Sequence, residues 1–202
     1  MNLRFFVIIL STIFSSIVLG ENAYDNDSIA KEIEATLLTQ CKHQVKALNV
    51  HMGHIARKEY PDSIKDYHIE ACLDLFISCG ENSIDDEGNI IIPAPRIEIT
   101  DQYRGTKNAY FIRKYLERLK NVEFSKVIFN SSKCYIPDGG IRRINENEYS
   151  ATVTFYQIMI GYKGEITSVI GQRTYKATVH IKRRGEGHFD VLLGDITATI
   201  VS

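Results

Sequence analysis

Apolar residues recur along this chain with two different periods, and the change of period divides it into a helical half and a strand half. Ile29, Ile33, Leu37, Cys41, Val45 and Leu48, with Leu38 beside them, follow the spacing of one helix face about five turns long. Asp25, Asn26, Asp27 and Ser28 precede it as N-cap candidates. A second helix is predicted from Pro61-Asp62 to a stop at Gly80, burying Ile64, Tyr67, Ala71 and Leu75 with Cys72 and Phe76 adjacent. A third is predicted over Lys107–Lys120, with Ala109, Ile112, Leu116 and Leu119 inward and Arg113, Lys114, Glu117, Arg118 and Lys120 outward.

Between the second and third helices, Asp85 to Asn89 is a turn signal and Ile90–Ile92 follows it. Pro93 and Pro95 then confine the next segment to an edge strand or an extended crossing. Strands are predicted over Val122–Phe129 and Lys133–Ile136, then three long ones over Tyr149–Tyr162, Ile166–Arg183 and His188–Val201. Three-residue joints at Lys163-Gly164-Glu165 and Gly185-Glu186-Gly187 suit consecutive antiparallel pairing. They would pair Val153 with Tyr175, Ile158 with Ile170, and Val179 with Val191. Each long strand also changes apolar parity, between Phe155 and Ile158, Ile170 and Tyr175, and Leu193 and Ile196. A one-residue shift sends side chains to the opposite face, so each strand is expected to carry a bulge or to exchange its buried face there. The expected core includes Ile33, Leu37, Cys41, Leu75, Ile112, Leu116, Val153, Val179 and Val191.

The first twenty residues change the compartment. Arg4 is their only charge, Phe5–Leu10 opens an apolar run, and Val18-Leu19-Gly20 offers a peptidase exit before Glu21. That is the layout of a secretory signal peptide, and Ser11, Thr12, Ser15 and Ser16 interrupt the run that a membrane span would need. The expected organisation is a signal peptide over 1–20, a polar leader over 21–27 and one domain over 28–202. The expected location is periplasmic or secreted, with no membrane span after cleavage. With 24 Lys and Arg against 25 Asp and Glu, the formal charge is −1, which supplies no general field for nucleic acid. Export permits disulfides among Cys41, Cys72, Cys79 and Cys134. Cys41 and Cys72 read as buried thiols on apolar stripes, and a Cys79–Cys134 bridge stays open, since four cysteines allow three pairings.

Helices followed by a bent run of long strands give an α+β fold: N-terminal helices on a long, curved antiparallel sheet ending in a three-stranded meander. The segments YFIRKYLERL (Tyr110–Leu119), YSATVTFYQIMIGY (Tyr149–Tyr162) and FDVLLGDI (Phe189–Ile196) resemble exported NTF2-like proteins of unknown function from Bacteroidota. The resemblance implies the cystatin-like cone of that superfamily. It carries no catalytic residue, because the superfamily includes isomerases, dehydratases, transport adaptors and noncatalytic binding domains.

Candidate chemistry is sparse. Asp195 is the catalytic candidate, because it lies on an apolar strand at the parity switch; its alternative role is to bond backbone groups at a bulge. Tyr156, Gln157 and Tyr162 are binding candidates near it. His51 and His54 have a helical HxxH spacing with Glu59 as a third ligand, but they lack the spacing of known zinc motifs, and neither metal nor cofactor is expected. Arg142-Arg143 and Lys182-Arg183-Arg184 adjoin turns and read as solvated. No phosphate-binding loop, dinucleotide fingerprint or nucleophile elbow occurs. The function expected is noncatalytic binding of a small ligand or protein partner. The alternatives are a small hydrolase, isomerase or dehydratase with a pocket acid or base, and an envelope assembly component. A homodimer would form through the open sheet.

Overall fold

A computed structural model describes residues 34, 36–100, 106–137, 139–185 and 188–199. The signal peptide, the polar leader, the N-cap candidates, Ile29, Ile33, Ile200 and Val201 lie outside the described residues. Two compact units are distinguished, Met1–Leu37 and Leu38–Ser202. Residues 34, 36 and 37 of the first are helical. All that follows concerns the second.

Helix α1 (38–55) forms where the predicted stripe lies: Cys41, Val45, Leu48, Met52 and Ile55 are buried, while Lys42, His43, Lys46 and Val50 are exposed. Pro61, in extended conformation, starts α2 (Asp62–Leu73). Here the predicted face is corrected by one residue. Lys65, Ile69, Cys72 and Leu73 are buried, whereas Ile64 and Tyr67 are exposed, and Leu75, past the helix end, is only half-buried. The stripe was misplaced because Lys65 buries its hydrocarbon stem where polarity predicted solvent.

The helix stops before a short 3₁₀ turn, Ile77–Gly80, in which Ser78, Cys79 and Gly80 all have left-handed φ values (53°, 49° and 74°). Gly80 is required there. A β-carbon would press on Leu73 of α2 and on Ile112 at 3.0 Å. The predicted third helix also splits. Lys107–Phe111 is a strand, and α3 spans only Ile112–Leu119, burying Ile112, Tyr115, Leu116 and Leu119.

The strands are β1 (Ser83–Ile84), β2 (Ile90–Ile92), β3 (Arg96–Thr100), β4 (Lys107–Phe111), β5 (Lys126–Tyr135), β6 (Ile141–Arg143), β7 (Glu148–Lys163), β8 (Ile166–Gly185) and β9 (His188–Thr199). β1 and β2 form a hairpin across the predicted turn, where Asp85 Oδ1 accepts the Glu87 and Asn89 amides. The others form one sheet ordered β4-β3-β9-β8-β7-β5, with β6 beside β7.

The expectation of a purely antiparallel sheet is corrected, because β3 runs parallel to β9 through Ile97 and Ile196. The prolines do not put β3 at an edge either. They precede its first residue, so no ladder bond is lost, and β4 takes the edge. The architecture is α+β, with three helices and a mixed sheet.

The parity switches have different causes. In β9, Gly194 and Asp195 together oppose Thr178, so Leu193 and Ile196 both stay buried across a bulge. In β8 the bulge is at Ile170, between Gly171 and Val169. β7 runs regularly from Phe155 to Ile158, so its faces do exchange: Gln157 is buried on one side while Ile158 and Ile160 are half-buried on the other. On one side of each bulge the hairpin registers differ from those expected by an even step, pairing Val153 with Ala177 and Val179 with Leu193; on the other side the step is odd, with Tyr162 opposite Thr167 and Ala177 opposite Ile196. An even slip leaves the paired side chains on their predicted face, and each bulge absorbs the one-residue change beyond it. Of the expected core, Leu37, Cys41, Ile112, Leu116, Val153, Val179 and Val191 are buried.

Candidate functional site

The inner face of the sheet is the one α1 packs against. Four cross-strand pairs cover much of it: Tyr149–Ile181, Ala151–Val179, Val153–Ala177 and Phe155–Tyr175. All are buried, and the Phe155 and Tyr175 rings stack at 5.5 Å. The next row in the same phase is polar. Ser131 of β5 pairs with Gln157 of β7, and Gln157 with Arg173 of β8. Asn49 of α1 joins the row from above: Gln157 Nε2 donates to Asn49 Oδ1 at 2.6 Å, and Asn49 Nδ2 donates to Ser131 Oγ at 2.6 Å.

Gln157 and Asn49 are buried, so these bonds satisfy groups with little access to water. Arg173 is different. It is 7% exposed, its Nε is sealed without an acceptor, and it makes no hydrogen bond or ion pair with any described residue. Tyr115 and Tyr175 lie within its electrostatic reach. Burial pushes both phenols above their ordinary pKa, and Arg173 works in the opposite direction on each.

Beside Asn49 and Ser131 the surface opens into a hollow of about 490 Å³ between α1 and β5. Lys42, Val45, Lys46, Asn49 and Val50 line it from α1; Phe129, Ser131, Lys133 and Cys134 line it from β5. A second hollow of about 300 Å³ continues it past the shared Asn49, Val50, Phe129 and Asn130 to His54, Arg57 and Lys126. Helix and strand come close where Gly53 sits over the Val127 carbonyl, and the Lys58 amide donates to Ser125 O at 3.0 Å below it. The upper wall is shaped by a bulge in which Lys133 and Cys134 together oppose Phe155, with Lys133 at a left-handed φ of 53°.

The residues singled out from the sequence are dispersed. Gln157 is on the inner face in the polar row, whereas Tyr156 and Tyr162 are half-buried on the outer face, with Lys126 Nζ 5.3 Å above the Tyr162 ring. Asp195 is exposed at the β9 bulge, where Oδ1 accepts the Arg96 amide at 2.8 Å and ties β9 to the start of β3. His51 and His54 meet a histidine the sequence reading missed: His51 Nδ1 is 2.9 Å from His68 Nδ1, and the His54 and His68 rings stack at 4.4 Å. Burial, with mutual repulsion among His51, His54 and His68 and from Arg57, lowers the pKa of all three. Glu59 pairs instead with Arg57, and among the described residues no three His, Cys, Asp or Glu side chains are placed to hold a metal.

The basic clusters are engaged at the surface: Lys182 with Glu148, Arg184 with Asp190, and Arg143 Nε with Asn145 O. All four cysteines are unbridged. Burial pushes the Cys41 and Cys72 thiols up to about 12, and raises Cys134 against the opposing pull of Lys42. No helix among the described residues is long and apolar enough to cross a membrane.

Arg173, Asn49 and Ser131 had signals of their own. Arg173 shares odd parity with Tyr175, Ala177, Val179 and Ile181, and Asn49 interrupts the Val45–Met52 stripe. A polar residue in a buried phase is the sign to look for.

No family model matches this sequence, and none of the curated proteins does so at a significant level. Among solved structures, one named "Putative Scytalone Dehydratase", from Novosphingobium aromaticivorans, is 14% identical and aligns over 82% of this chain and 88% of its own, with a TM-score of 0.46.

Proposed function

We propose that this chain is an exported, noncatalytic binding domain of NTF2-like type, whose site for a small ligand is the groove between α1 and β5. The observation that carries this reading is the polar row Asn49–Ser131–Gln157–Arg173. It is built into a face that is otherwise apolar, and it reaches the floor of an open hollow. Apolar residues at these positions would pack at lower cost, since a buried polar N–H without an acceptor, as the Arg173 Nε is among the described residues, is expensive. A hollow of about 490 Å³ falls within the usual range of small-molecule sites, and a few convergent polar groups among apolar walls are their usual furniture.

A catalytic reading through Asp195 has less support. Half-buried His180 lies within electrostatic reach of Asp195, but this carboxylate is exposed and its Oδ1 is taken by a backbone amide, and no hollow described above contains the pair. The test is a fragment screen by thermal shift followed by crystal soaks. Fragments gathering between α1 and β5 support the proposal; fragments gathering elsewhere, or none at all, oppose it.

A second reading, docking of another copy through the outer face, is favoured by the row Ile128–Ile160–Val169, in which Val169 is 64% exposed. Analytical ultracentrifugation showing only monomer at high concentration would remove it.

A further inference from the structure

The groove is lined by charges of one sign. Lys42, Lys46 and Lys133 line its larger hollow, Arg57 and Lys126 line its continuation, and no carboxylate lines either. Elsewhere several lysines sit beside carboxylates, Lys65 with Asp62, Lys107 with Glu98, Lys120 with Asp66, and Lys182 with Glu148, while Lys114, Lys163 and Lys176 stand singly on other surfaces. The three at the large hollow form no ion pair or hydrogen bond with any described residue.

All three of these lysines also carry local penalties. Lys42 and Lys46 are one turn apart on α1, a spacing at which like charges repel. Lys133 takes a left-handed backbone that a β-carbon disfavours. No protein contact compensates for either, although the chain has as many acids as bases with which to pair them.

We infer that the groove takes an elongated organic anion, with an acidic head among Lys42, Lys46 and Lys133 and an apolar body along Val45, Val50 and Phe129. This rests on the small-ligand reading above and names the class of ligand. Three ammonium groups attract an anion as point charges, without the planar fork by which arginine selects one head geometry. The apolar residues between the two basic ends require a hydrocarbon or ring body, which inorganic anions lack. At the far end Arg57 already pairs with Glu59 and Lys126 lies over the Tyr162 ring, so the acidic head belongs at the lysine end.

The experiment uses three probes, octanoate, octan-1-ol and inorganic phosphate, titrated into the purified protein with amide chemical shifts as the readout. Shifts are expected along α1 and β5. Octanoate should bind about tenfold or more tighter than octan-1-ol or phosphate, since a desolvated charge pair adds about a factor of ten. Lys42→Gln and Lys46→Gln should each weaken octanoate several-fold and leave octan-1-ol unchanged, and rising salt should weaken octanoate alone. If octan-1-ol binds as tightly as octanoate, or if neither variant alters octanoate, the anion inference is wrong while the small-ligand groove stands. If phosphate matches octanoate, the organic body is wrong. If no probe shifts any amide of α1 or β5, the groove is not a small-ligand site and both readings fall.

Discussion

Four cross-strand pairs of the inner face, from Tyr149–Ile181 to Phe155–Tyr175, are buried and, apart from two phenol oxygens, apolar. The next row, Ser131–Gln157–Arg173, is polar throughout and meets a polar residue, Asn49, on the helix above. Both regions use the same strands in the same phase, so backbone and topology do not distinguish them. The chemistry of the side chains does. The apolar rows stabilise the fold by burial and close packing. The polar row satisfies some of its groups internally and leaves the Arg173 Nε sealed without an acceptor among the described residues, which stability alone would not favour. Folding and binding are therefore assigned to adjacent stretches of one sheet.

The largest effect expected from this contrast is on the apolar side. Phe155→Ala should lower the unfolding free energy by about 3–5 kcal/mol, because the Tyr175 stack cannot collapse into the space left. Denaturant titration checks it, and a loss below about 1 kcal/mol would mean that this row is not tightly packed. Arg173→Met should move the other way, raising stability by about 1–3 kcal/mol by removing a largely buried charged group whose Nε has no acceptor among the described residues. A destabilised Met variant would show that the guanidinium is held by the protein itself, and the division between the two regions would fail.

Much of this arrangement was legible in the sequence, and its gaps have physical causes. The long strands and the α1 stripe were readable because each buries a face of regular period. The face of α2 was misread because Lys65 is amphipathic and its stem counts as apolar once buried. Lys107–Phe111 was assigned to a helix because its apolar residues fit both periods, and pairing with β3, a tertiary contact, decides between them. Of the site, Gln157 was identified directly. Arg173 and Asn49 were visible as polar residues in buried phases, whereas Ser131, Lys133 and His68 depend on pairings, a bulge and a helix approach that no local pattern encodes.

A smaller effect concerns the histidines at the end of α1, which are polar like the central row but contact one another. Because His51, His54 and His68 have lowered pKa values in the fold, the unfolded chain binds more protons near its ordinary value of 6.5. Their contribution to stability is complete above that value and is lost as pH falls through the lowered folded values. Stability should therefore decline between about pH 7 and pH 5, and His68→Gln should flatten the decline. A urea midpoint measured across this window checks it, and an identical slope in the variant would show that the cluster is not the cause.

The most direct test is a paired measurement on Lys133→Gly. Glycine accepts the left-handed backbone at this bulge without strain, so the variant should be more stable by about 1 kcal/mol. The same change removes an unpaired ammonium from the groove, so octanoate should bind several-fold more weakly. A gain in stability with a loss of affinity is the result predicted for a residue held in the chain for its ligand. Unchanged affinity, whatever the stability, would contradict the assignment of the α1–β5 groove as an anion site.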